Sequence, residues 1–141
     1  MAGTPLFTIE GTLSVAHFPA EKALVATWIS MTSGRFQEAL AKGLNECGRV
    51  GAISWIVDLT QNPGVPSQAD LAWIEGGECA ALCQRNRVRA VINIHGKSAV
   101  ATMGAKRWSK SASSNGMATY DCANLADALA LAAEVGSGKA A

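Results

Sequence analysis

Two stretches constrain the fold more than anything else in the chain. Ala52 to Leu59 is apolar except at Ser54 and Asp58, and Val88 to Ile94 is a second short run of the same kind. Strands covered on one face alternate apolar and polar residues, whereas strands covered on both faces read as near-continuous apolar runs. Both segments are therefore expected as inner strands of a sheet held between helices, the α/β arrangement. At 141 residues the chain is long enough to bury a core without disulfides or a metal. One domain over residues 1–136 is expected, with a flexible tail at 137–141.

The remaining elements follow from periodicity. Alternating residues from Leu6 to Ile9, Leu13 to His17 and Leu24 to Ile29, with a turn at Pro19 to Lys22, predict an N-terminal hairpin preceded by a short strand. From Ser33 the apolar spacing lengthens, with Phe36, Leu40, Leu44 and Cys47 on one helical face and Gly48 expected to close the helix. Ser67, with Asp70 three residues on, reads as the capped start of a helix that runs through Gly76 and Gly77 to Cys83. A helix from about Ser98 to Lys110, a strand from Met117 to Cys122 and a helix capped by Asn124 complete the order. The expectation is a mixed, mostly parallel sheet of about five strands with about four helices and right-handed crossovers.

Polar residues then fall where such a sheet places its working edge. Asp58 and Thr60 end the first buried strand, Ser67 opens the next helix, and His95 and Lys97 follow the second buried strand. In open α/β sheets, ligands and phosphates sit where the carboxyl ends of strands meet helix N-termini. A plain N-cap accounts for Ser67 at about 1 kcal/mol, and a loop-organising carboxylate accounts for Asp58. Gly96-Lys97-Ser98 lacks the earlier glycine of a phosphate-binding loop, since position 91 is Val91. No nucleophile stands beside His95 in sequence with a partner to orient the ring, so no catalytic residue is assigned.

Charge is unevenly spread. Every charged residue between Cys79 and Tyr120 is basic: Arg85, Arg87, Arg89, Lys97, Lys106, Arg107 and Lys110. This suggests a positive face for an acidic partner, a phosphate or a polyanion, with an acidic protein surface as the expected partner. The interleaved aromatic residues of a nucleic-acid stacking platform are missing, so no nucleic-acid partner is expected. No apolar run approaches the length of a membrane span and no secretory leader is evident, which makes a cytoplasmic location the expectation. Cys47, Cys79, Cys83 and Cys122 are read as reduced, core or near-core thiols, not as a metal site, and no cofactor is expected. The 16% charged fraction is low enough to admit self-association.

The element order, the strand-ending Asp58, the step to Ser67 and the closing segment Thr119 to Leu131 resemble the STAS family, which includes bacterial anti-sigma-factor antagonists. The resemblance spans about Leu6 to Val135 and is architectural. It implies a regulatory domain in which Ser67 occupies the phosphoacceptor position. Pro66 and Ala69 stand where the family motif has Asp and Gly, so the chain diverges at the motif itself. The expected function is a non-enzymatic regulatory or protein-interaction domain using Asp58, Thr60, Ser67, His95, Lys97, Lys106 and Arg107. The alternative is a small carrier holding an apolar or acyl ligand between helices and sheet, motivated by Trp28, Trp55, Trp73 and Trp108.

Overall fold

The computed structural model describes residues 3–138. Its elements are β1 (Thr4–Ile9), β2 (Leu13–Phe18), β3 (Ala23–Trp28), α1 (Phe36–Val50), β4 (Ser54–Asp58), α2 (Gln68–Glu75), α3 (Glu78–Arg85), β5 (Ala90–Ile94), α4 (Ala99–Ser114), β6 (Ala118–Cys122) and α5 (Leu125–Gly136). The six strands lie in sequence order across one sheet. β1, β2 and β3 pair antiparallel, and β3 to β6 pair parallel.

The two apolar runs are the two central parallel strands, β4 and β5, and all five residues of β5 are buried. Their side chains separate into two cores by the two-residue alternation of strands. Trp55, Val57 and Val91 join residues of α1, α3 and α4 on one face. Ile56, Ile92 and Ile94 meet Ala128, Leu129 and Ala132 of α5 on the other.

The α/β class and the mixed sheet match the sequence reading, but the counts differ: six strands instead of about five, and five helices instead of about four. The short leading strand is a full member of the sheet, because Phe7 and Ile9 take up register with Val15 and Leu13. The helix expected from Ser67 to Cys83 is two helices. Gly77 stands at φ 99°, a left-handed conformation that breaks the ladder and re-aims α3. Gly48 lies inside α1, where its missing side chain admits Asn86, and the helix closes at Gly51, φ 76°. α4 runs on to Ser114, absorbing the polar stretch from Ser109. In the tail, Ser137 and Gly138 still donate backbone N–H groups to α5, and residues 139–141 lie outside the described residues.

Candidate functional site

Asp58 ends β4 with its carboxylate already engaged. Oδ1 accepts the Thr60 amide at 2.9 Å and the Thr60 hydroxyl at 2.7 Å, closing a local turn. Asp58 is in register with Ile94, which packs under α5. The carboxylate therefore belongs to the α5 side of the sheet.

Ser67 opens α2 as its N-cap, accepting the Asp70 amide at 3.1 Å from an extended backbone, φ −62° and ψ 165°. Asp70 in turn accepts Gln37 Nε2 at 2.9 Å, tying α2 to α1. Neither Asp58 nor Ser67 bonds to the other or to His95. The phosphoacceptor-like set is thus two separate local motifs.

His95 follows β5 and meets a residue the sequence reading passed over. Its Nε2 lies 2.6 Å from Asp121 Oδ1, at the carboxyl end of β6. Behind this pair Asn93 organises a polar chain: it accepts the Trp108 indole N–H at 2.9 Å, and its Nδ2 donates to Ser109 Oγ at 2.9 Å and Asp121 Oδ1 at 3.4 Å. Asn93 is fully buried, so this network holds α4 and β6 to the strand between them. The signal for Asn93 was a lone amide inside an apolar strand. Asp121, in a short edge strand, carried none. His95 Nδ1 is buried without a partner, and no nucleophile is bonded to this pair among the described residues.

The basic candidates divide. Arg107 grips Glu75 through Nη2 at 2.9 and 3.0 Å, which clamps α4 to α2. Lys97 and Lys106 are exposed, as is Lys110 one helical turn beyond Lys106, and none is paired with a carboxylate among the described residues. Between them α4 also exposes Val100 (60%) and Met103 (68%). Positions 100, 103, 106 and 110 recur at three- and four-residue spacing, so these side chains form one stripe down the outside of the helix.

Between the sheet and helices α1, α3 and α4 lies an apolar cavity of about 60 Å³. Trp28, Trp55 and Trp108 line it, and Trp73 does not. An apolar cavity of roughly 150 Å³ holds benzene, and drug-sized ligands occupy roughly 300–1,000 Å³. As it stands this cavity is too small for an acyl chain. Cys79 and Cys83, four residues apart on α3, also line it. Interaction between the two neighbouring thiols lowers the Cys79 pKa and, together with burial, raises that of Cys83. Burial pushes the Cys47 thiol up to about 12. No cluster of three metal-ligating side chains exists among the described residues, and no helix is long and apolar enough to cross a membrane.

No family model, no curated protein and no solved structure matches this chain.

Proposed function

We propose that the chain is a non-enzymatic, STAS-like regulatory domain that engages a protein partner through the outer stripe of α4. One observation carries the reading: Val100 and Met103 stand exposed on that helix, flanked by Lys97, Lys106 and Lys110, which form no ion pair among the described residues. Covering the two apolar side chains gains roughly 25 cal/mol per Å² of apolar surface. The unpaired ammonium groups select a partner whose matching surface is acidic and speed its approach. Asp58, Ser67 and Arg107 each have a hydrogen-bond partner within the chain and are not proposed as contacts.

Site-specific photo-crosslinking tests the assignment, with benzoylphenylalanine at position 103 and a control at position 130, exposed on α5 across the sheet. The expected result is a partner captured from 103 and not from 130, which when purified presents an acidic patch at the crosslink. Identical products from both positions, or a second copy of this chain as the sole product from 103, would overturn it.

A further inference from the structure

The connection from α3 to β5 carries three arginines in five residues, Arg85, Arg87 and Arg89, all exposed. None of them makes an ion pair or a side-chain hydrogen bond among the described residues, whereas Arg35, Arg49 and Arg107 each grip a glutamate. The segment leads into β5, so it lies at the amino end of the parallel strands, the opposite end from Asp58 and His95. Arg85 and Arg87 line one open recess of about 220 Å³ together with Asn86 and Gly48.

Arginines near a helix C-terminus commonly meet its last carbonyls. Here those carbonyls are already taken. The Val88 N–H donates to Cys83 at 2.9 Å and the Arg87 N–H to Gln84 at 3.2 Å, the two bonds of a Schellman turn, while Asn86 donates both its backbone N–H and its Nδ2 to Leu82. The left-handed position that such a turn normally gives to glycine is held by Arg87, at φ 61°. A side chain is strained there, and residues kept in such conformations gather at ligand clamps.

The backbone that carries these side chains is tied down. Asn86 Nδ2 also donates to Asn45 Oδ1 at 2.9 Å, and Gly48, lacking a Cβ, lets the Asn86 side chain lie against α1. No carboxylate lines the recess, and Glu46, nearby on α1, is held by Arg49. We propose that Arg85 and Arg87 form a binding site for a phosphate group, free or carried as a monoester by a small molecule. Each planar guanidinium offers a fork of donors that matches phosphate oxygens, and an anion between the two relieves their mutual repulsion. The recess is below the roughly 300–1,000 Å³ of pockets that enclose a drug-sized ligand, so it takes the phosphate and leaves the remainder in solvent. The site uses none of Lys97, Lys106 and Lys110 and does not depend on the α4 stripe.

Amide NMR of the full chain, titrated at constant ionic strength with inorganic phosphate and separately with glycerol 3-phosphate, tests this. Both are expected to shift the Arg85 to Arg89 amides saturably, and the tighter of the two identifies the source as free phosphate or a monoester. Arg85→Ala and Arg87→Gly are each expected to weaken binding by roughly tenfold or more, the loss of a charge-assisted hydrogen bond. Arg35→Gln, at the far end of α1, is expected to leave it unchanged. Arg87→Gly is also expected to raise Tm by about 2–4 °C, because glycine holds the left-handed conformation without strain. The proposal is overturned by the absence of saturable shifts with either phosphate, by equal shifts with chloride, or by undiminished binding in either arginine variant. Loss of binding in Arg87→Gly accompanied by a lower Tm overturns it as well, since Arg87 would then be holding the turn and not a ligand.

Discussion

The indole N–H of Trp108 donates to Asn93 Oδ1 at 2.9 Å, joining the middle of α4 to the second inner strand of the sheet. It is a fully buried contact: Asn93 is 0% and Trp108 8% exposed. Removing the amide leaves the indole donor, and part of the Ser109 and Asp121 network, without a partner in a place water does not reach. Each orphaned buried group costs about 1–3 kcal/mol. Asn93→Ala is expected to lower unfolding free energy by about 3 kcal/mol in urea titration, and a loss below about 1 kcal/mol would contradict this role.

Ser67 predicts a smaller effect of a different kind. As an N-cap it satisfies the Asp70 amide, and Ser67→Ala is expected to cost about 1 kcal/mol. Ser67→Asp keeps a capping oxygen at a helix N-terminus and is expected to restore stability to near the starting value. If alanine proves neutral, the cap is not stabilising α2.

The adjacent glycines at the joint of α2 and α3 should respond unequally. Gly77 is left-handed at φ 99°, so Gly77→Ala is expected to destabilise by about 1–2 kcal/mol. Gly76 is right-handed, and a side chain there meets chiefly the flexible Glu78 carboxylate at 2.8 Å and the Ala72 carbonyl at 3.1 Å. Gly76→Ala is expected to change stability by less than about 0.5 kcal/mol, the ordinary range for surface sites. Equal losses in thermal melts of the two variants would contradict the break between the helices.

Cys47 gives a pH dependence with a defined sign. Burial raises its thiol from 9.0 to about 12, so the folded state holds the proton after the unfolded chain has released it. That contribution is complete below pH 9 and is lost as pH rises toward 12, at most about 1.4 kcal/mol per pH unit. Cys47→Ala is expected to flatten the fall in stability between those values, whatever its own effect at pH 7. An unchanged slope would show that Cys47 is not the titrating group.

How much of this was legible in the chain depended on the range of the interaction. The inner strands, the Ser67 cap and the Asn124 cap are set by neighbours within a few residues, and the Asn124 side chain does accept the Asp127 amide at 2.8 Å. The parallel register instead brings His95 to Asp121 and packing brings Arg107 to Glu75, pairs separated by 26 and 32 residues with no local pattern to announce them. The break at Gly77 was visible only as weak helix propensity, because a glycine does not reveal the sign of its φ. The exposure of Val100 and Met103 was hidden because the buried face of α4 is made by Ala101, Gly104, Ala105 and Trp108, mostly small residues, which leaves the two larger aliphatic side chains outside.

The most direct test of α4 as the working surface is the affinity for the purified partner, measured by calorimetry at low and high salt. Met103→Asp is expected to weaken binding at least tenfold at both. Lys106→Glu with Lys110→Glu is expected to weaken it strongly at 50 mM salt and much less at 500 mM, where surface charges are screened. Affinity that ignores all three substitutions, but falls when Ser67 or Asp58 is replaced, would contradict the account.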